Sequence, residues 1–335
     1  MARTALPKQL SKVADRDLLA RLEAGLDKVE ELLVESVKHT NPIAKVTARH
    51  LVDAGGKRIR PTLLLLAAQL GDDTLPEVIQ AAVVVELTHI GTLYHDDVMD
   101  NAPRRRGVES AHEIWGNNVA ILTGDLLFAR ASQLVSRLGE KALTLQAETF
   151  ERLCIGQLNE TVGAGDANEI DHYLQVLSDK TGSLIAASAE LGIIFSGADS
   201  SYREPLRLYG EKIGVAFQLI DDVIDIYSDG KRSGKTPGTD LRAGVPTLPV
   251  LYLRDDAKTN PEAAELVSII DSGLEDEAKL KTVIEALRKH PATDRAYNEA
   301  KRWADGAKAS LDSLPEGSVK EALKNFADAV IERET

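Results

Sequence analysis

The amino-acid sequence predicts an all-helical protein, and three observations carry that expectation. Aromatic residues are only 4% of the 335 positions, whereas strands draw on aromatic and β-branched side chains. Long stretches rich in Ala, Leu, Glu and Lys favour helix. Apolar residues recur at helical spacing, most plainly at Leu18, Leu19, Leu22, Leu26, Val29, Leu33 and Val37. With 43% apolar residues the chain can fill a sizeable core. No shift in composition, internal repeat or low-complexity linker divides it, so one domain is expected over residues 1–335.

The elements follow in order. A first helix is expected over residues 15–38, ended by Asn41-Pro42. Gly55-Gly56 marks a turn, and Pro61 suits the first turn of the next helix. Residues 75–100 form a long helix, with Pro76 near its start and Pro103 beyond its end. Further helices are expected over 111–138, 141–162, 171–196 and 201–227, and in several segments after Pro261. Residues 230–249 hold four Gly and three Pro without a clean period, which predicts an ordered functional loop.

The net charge of −13 repels nucleic acid and anionic lipid surfaces, so no nucleic-acid partner is expected. An anionic substrate would need metal cations or local basic clusters. Cys154 is the one cysteine; no intramolecular disulfide can form, and a buried, inert thiol is expected. Residues 1–21 lack the apolar core of a signal peptide. The longest apolar run near the front, 63–68, is too short to span a bilayer. A soluble, cytoplasmic protein without a transmembrane segment is expected.

Two clusters carry the chemistry. Asp96-Asp97-Val98-Met99-Asp100 ends a strongly apolar helix, and Asp221-Asp222-Val223-Ile224-Asp225 ends another. Asp96 and Asp100 share one helical face, where like charges repel, and a helix C-terminus is the wrong end for anions. A bound cation removes both penalties. Oxygen-only ligands suit Mg²⁺, which keeps waters and bridges to substrate phosphates. With 27 Asp in the chain, one Asp-Asp-x-x-Asp arises by chance in roughly one such chain in six, and two in roughly one in seventy. Duplication is therefore the informative feature.

Basic residues are placed against the acidic trend. Lys57, Arg58 and Arg60 follow the Gly55-Gly56 turn, and Arg104, Arg105 and Arg106 follow the first Asp cluster. Arg suits bidentate phosphate binding and Lys a point charge. Three Arg a few residues beyond a triple-Asp site point to a metal–diphosphate site.

In this order the chain reads GGKRIRP (55–61), ELTHIGTLYHDDVMD (86–100), RRRG (104–107), GNNVAILTGD (116–125), GQ (156–157), KTG (180–182), FQLIDDVID (217–225) and GKTPGTDL (234–241). This set resembles the trans-isoprenyl diphosphate synthase family, of long-chain type. The resemblance implies a single bundle of about ten or more helices around a deep central cavity, in a homodimer. It implies that Lys57, Arg60, His89 and Arg106 bind isopentenyl diphosphate. It implies two or three Mg²⁺ ions, held on the allylic diphosphate by Asp96, Asp97, Asp100, Asp221 and Asp225. Arg105, Lys180, Thr181, Gln218 and Lys235 would complete the allylic site, and Gln157 and Phe217 would line the reacting region. Of these, Asp96, Asp97, Asp100, Arg105, Lys180, Asp221 and Lys235 would carry catalysis. One position departs from the family pattern: Val245 stands where many members have a loop Lys.

The implied reaction is Mg²⁺-dependent condensation of isopentenyl diphosphate with geranyl, farnesyl or geranylgeranyl diphosphate. The departing diphosphate gains charge, which metal and fixed cations neutralise. The helix leading into Asp96 carries Gly91, Thr92 and Thr88 toward the growing tail, and no Phe, Tyr or Trp occurs between Asp72 and Leu93. An all-trans product of about C30 to C50 is expected, suited to a menaquinone or ubiquinone side chain. The alternatives are a geranylgeranyl diphosphate synthase and the catalytic subunit of a heteromeric synthase.

Overall fold

The structure, a computed structural model, describes residues 15–227 and 237–332. It is all-helical, as expected. Among the described residues the only strand pairing is a two-residue hairpin. No described helix is long and apolar enough to cross a membrane.

The chain divides into two compact units. The first comprises the described residues within 1–151, 184–210 and 311–326; the second comprises those within 152–183, 211–310 and 327–335.

In the first unit, helix α1 (Arg16–Ser36) starts where the Asp15 side chain accepts the Leu18 amide at 2.8 Å. Leu18, Leu22, Leu26, Val29 and Leu33 form its buried stripe, the spacing of a helix with one core face. Helix α2 (Pro42–Asp53) begins with Asn41 as N-cap and Pro42 in the first turn. Helices α3 (Ile59–Ala68) and α4 (Pro76–Met99) are different. Every residue from Pro61 to Ala68 is buried, and α4 buries residues around its whole circumference from Val78 to Tyr94. A helix apolar all round belongs inside a helical layer. Helices α1 and α3 pack on α4, as does α6 (Asn117–Val135). The α4–α6 approach is close because both present glycine. A methyl on Gly124 would lie 2.4 Å from His95 Nε2, and one on Gly91 would lie 3.1 Å from the Phe128 ring.

Strands β1 (Arg104–Arg105) and β2 (Val108–Glu109) pair with Arg105 opposite Val108. The two-residue loop, Arg106 (φ 52) and Gly107 (φ 83), has positive φ at both positions, as a type I′ turn requires. This hairpin was not foreseen. Its turn uses Arg where Asn is the usual signal.

Residues 111–138, expected as one helix, form α5 (Ala111–Trp115) and α6. They separate at Gly116, whose φ of 83° no continuing helix allows. Helix α7 (Glu140–Val162) matches its expected span.

In the second unit, α8 (Glu169–Leu177) is capped by the Asn168 side chain, which accepts from Ile170 and Asp171. The expected helix over 171–196 is interrupted by a π-helical turn at Ser178–Gly182 before α9 (Ser183–Ser196), which belongs to the first unit. Helix α10 (Arg203–Tyr227) ends in the second Asp cluster. The expected loop over 230–249 falls partly outside the described residues. The rest contains a short helix, α11 (Thr239–Arg242), and the start of α12 (Leu248–Ala257). Helix α12 packs against α8, α13 (Pro261–Asp271) and α15 (Pro291–Ser310), burying Leu248, Val250 and Leu253. Helices α14 (Glu277–Leu287) and α16 (Ser318–Ile331) complete the described chain.

Candidate active site

The first basic motif splits into two kinds of arginine. After α2 the chain turns through Gly55 (φ 80) into Arg58, which stands in the left-handed region (φ 48) at the start of α3. That backbone costs of order 1–2 kcal/mol in a non-glycine residue, and the side chain offsets it. Arg58 is 3% exposed. Its guanidinium pairs with Glu30 of α1 and with Glu86 of α4, Nη1 lying 2.7 Å from Oε1. It also donates to the carbonyls of Gly55 and Val52. All five N–H groups are used, so Arg58 ties the turn to two helices and has no donor left for a ligand.

Arg60 differs. Its Nε is buried without a hydrogen-bond partner. Burial lowers its pKa to about 10, with Glu86 pulling it up and Arg106 pulling it down. Arg106, at the hairpin turn, donates to the Leu51 carbonyl (2.9 Å) and reaches Glu86 Oε1 (3.3 Å). A methyl on Gly56 would lie 2.9 Å from Arg106 Cζ; glycine lets this guanidinium lie on the loop backbone. Lys57 is exposed beside it. His89, one turn beyond Glu86, has its pKa pushed well below the usual value by burial, and further by Arg60, Arg106, Arg105 and Arg58. It is neutral at pH 7. Lys57, Arg60, His89 and Arg106 thus lie in one unit.

The first Asp cluster lies at the end of α4. Asp97 is buried and accepts from Arg105 Nε at 2.6 Å on Oδ1, while its Oδ2 is buried without a partner. Asp96 is half-buried and Asp100 exposed. Among the described residues no three or more His, Cys, Asp or Glu side chains close a metal cage by themselves. The residues nonetheless fit a divalent cation. They offer hard oxygen donors only, one of them a buried carboxylate oxygen without a donor, as suits a metal that takes its other ligands from water and phosphate.

In the second unit, the π-helical turn carries Lys180 and Thr181. Such turns cost regular hydrogen bonding and recur at functional sites. Arg152 of α7 braces this one, donating to Asp179 (2.9 Å), to Ser178 Oγ (3.2 Å) and to Glu211 of α10. Lys180 Nζ lies 2.5 Å from Glu160, which also accepts from Gln157 at 3.0 Å. Phe217, Gln218 and Asp221 are half-buried on α10. Asp222 is buried and accepts from the Tyr173 hydroxyl; burial pushes its pKa well up. Asp225 uses both carboxylate oxygens to accept the amides of Thr239 and Asp240, capping α11. Lys235 lies outside the described residues. Val245 is 43% exposed beside α11.

Two expectations are corrected. Cys154 is exposed, not buried, because it faces outward on α7. The wall near Gly91 is not free of aromatics. Phe128 of α6 lies against Gly91 and packs at a tilt of 47° on Phe150 of α7, with ring centroids 4.5 Å apart. These rings come from the neighbouring helices, not from α4 itself. Thr88 is buried and accepts from Gln146 of α7 at 2.7 Å; the Thr92 hydroxyl donates to the His89 carbonyl. Glu86, Glu160, Arg152 and Tyr173 were also missed. Glu86 alone left a trace, as a lone acid inside an otherwise apolar stretch of α4.

A family model described as polyprenyl synthetase matches residues 41–287. A nonaprenyl diphosphate synthase of Mycobacterium tuberculosis is 42% identical over 324 residues, covering 96% of each chain. The crystal structure of a geranylgeranyl pyrophosphate synthase from Corynebacterium glutamicum, complexed with calcium and isoprenyl diphosphate, is 44% identical. It covers 96% of this chain and 98% of its own, with a TM-score of 0.87. The crystal structure of a decaprenyl diphosphate synthase from Rhodobacter capsulatus is 32% identical, covers 95% and 98%, and has a TM-score of 0.85.

Proposed function

The chain belongs to the polyprenyl synthetase family of trans-isoprenyl diphosphate synthases, and from that premise we propose that this prenyltransferase condenses isopentenyl diphosphate with an allylic diphosphate into a long polyprenyl diphosphate. The observation that carries the reading is the grouping, within the first unit, of Lys57, Arg60, His89 and Arg106 beside the oxygen-only strip of Asp96, Asp97 and Asp100. We assign the isopentenyl diphosphate to the first group. Arg60 has spare donor capacity and Arg106 a fixed fork. Neutral His89 can hydrogen-bond the anion without a change of charge.

We assign the allylic diphosphate to Arg105, Lys180, Thr181, Gln218 and Lys235, and a divalent metal, Mg²⁺ in two or three copies, to Asp96, Asp97, Asp100, Asp221 and Asp225. When bound, the metal would neutralise charge on the departing diphosphate. Arg105 and Lys180 would do the same from the protein side; each now pairs with a carboxylate, Asp97 or Glu160, that would compete with phosphate oxygens. Gln157 and Phe217 would border the reacting carbons. We propose that residues 1–335 work as one catalytic domain, since the family match spans both units. The protein would act in the cytoplasm, making a quinone side chain.

The nonaprenyl relative and the decaprenyl structure support a product of about C30 to C50, as do the small residues Gly91 and Thr92. Phe128 against Gly91 favours a second reading, a C20 product, which the geranylgeranyl structure also fits. One assay tests both. Purified protein is given isopentenyl diphosphate, Mg²⁺ and each allylic primer, and products are separated by length. Products beyond C25 support the first reading and a stop at C20 the second. No product with any primer defeats both, and loss of turnover in EDTA with recovery in Mg²⁺ tests the metal.

A further inference from the structure

The buried Glu86 carboxylate has no role in the assignments above, yet it stands where the basic groups converge. Its side chain is 2% exposed. Oε1 accepts from Arg58 at 2.7 Å and from Arg106 at 3.3 Å. Its charge also acts on Arg60. These arginines come from two places far apart in sequence: Arg58 and Arg60 from the cap and first turn of α3, Arg106 from the hairpin after α4. Both segments are held in strained backbone, with Arg58 at φ 48 and Arg106 at φ 52. Guanidinium groups brought together by two strained loops repel one another, and a buried anion between them offsets that repulsion.

We propose that Glu86 is a positioning residue that docks Arg106 onto the 55–60 loop, so that the anion site for isopentenyl diphosphate stands assembled before substrate arrives. The inference rests on the function proposed above. Glu30 cannot substitute, because its carboxylate is committed to the far side of Arg58. The Leu51 carbonyl alone would leave Arg106 with one neutral acceptor. A carboxylate near a diphosphate also repels it. Positioning wins if the cost of gathering three guanidinium groups in a buried space exceeds that repulsion, and burial makes it so.

The test is a pair of substitutions in the full chain. Glu86→Gln keeps size and hydrogen bonding but removes the charge. The expected result is a rise of about tenfold in KM for isopentenyl diphosphate, with KM for the allylic primer within about twofold and kcat within about threefold. Glu86→Asp keeps the charge and falls between; it carries the test if the Gln variant does not fold. Because Glu86 acts through Arg106, the double variant Glu86→Gln/Arg106→Gln should be no worse than Arg106→Gln alone. Equal rises in both KM values, a lower KM for isopentenyl diphosphate, or fully additive losses would overturn the proposal. The inference can fail separately from the function. If the wild-type chain makes no product, the thermal shift caused by inorganic pyrophosphate is read instead. A shift diminished equally in both single variants and no further in the double supports positioning, and an unchanged or larger shift in Glu86→Gln overturns it.

Discussion

Arg58 and Arg60 are two residues apart in one motif and differ in everything but residue type. Arg58 spends all five donors on protein acceptors, while Arg60 keeps a buried donor unpaired. Removing one partner of a buried ion pair leaves the other charge stranded, at a cost of about 3–5 kcal/mol. Arg58→Met should therefore lower the denaturation midpoint strongly. Arg60→Met removes a half-buried guanidinium whose buried Nε has no partner, so its stability should hold or improve while KM for isopentenyl diphosphate rises at least about tenfold. Urea unfolding and steady-state kinetics on the same preparations separate the two. His89 gives a pH signature. Its folded pKa is depressed, so below the ordinary value of about 6.5 the unfolded chain binds a proton that the folded chain refuses. Stability then falls as pH falls, by up to about 1.4 kcal/mol per unit. The melting temperature should drop between pH 7.5 and 5.5, and His89→Gln should flatten that slope; an identical slope in the variant would count against the assigned burial. The motif residues were legible in the sequence because their types and spacing are chemical requirements. The division of labour between Arg58 and Arg60 was not, because it depends on Glu30 and Glu86, which lie 28 residues away on either side.

At the scale of elements, the long helices were legible because their apolar period and their caps agree: Asp15, Asn41 and Pro42 do locally what the core demands globally. The interruptions were less so. Gly116 could equally have sat inside a helix, and nothing in Ser-Asp-Lys-Thr-Gly announces a π-helical turn, which is stabilised by Arg152, Asp179 and Glu211 from three separate segments. The α4–α6 contact shows the same limit. The absence of Phe, Tyr and Trp between Asp72 and Leu93 was a correct observation, but the chain supplied Phe128 from α6. This bears on product length. Gly91→Phe is a poor probe, since even a methyl there meets the Phe128 ring at 3.1 Å. Phe128→Ala should instead open the wall beside Gly91 and lengthen the products, at a cost in stability below the roughly 3–5 kcal/mol of a fully buried Phe, since Phe128 is half-buried. Thr92→Phe should shorten them. Chromatography of the product diphosphates reads both, and unchanged lengths in both variants would remove this wall from the product-length argument.

At the scale of the whole molecule, the fold class and the family reaction were legible, because an all-helical pattern and duplicated Asp clusters survive any detail of packing. A homodimer is implied only by the resemblance, since the exposed apolar side chains that bear on assembly are not distinguishable in sequence from core positions of the same helices. Ile121 and Leu122 on α6 are 40% and 65% exposed, and on α7 Leu158 and Val162 are 63% and 81% exposed. Within each unit, adjacent apolar side chains at such exposure mark an interaction face. We propose that a second copy of this chain covers these faces. Symmetry makes the prediction sharp. In a twofold dimer each substitution acts twice. Losing the burial of one leucine costs about 1.5–3 kcal/mol, so the pair weakens association by about 3–6 kcal/mol, or roughly 10² to 10⁴ in Kd. A charge at that position adds the penalty of burying it. Leu122→Glu and Leu158→Glu, made separately, should each shift the protein from dimer to monomer in sedimentation velocity at micromolar concentration, with the melting temperature of the monomer lower and independent of concentration. A wild-type chain that sediments as a monomer at all concentrations, or variants that stay dimeric, would assign these faces to another partner, as the heteromeric alternative requires.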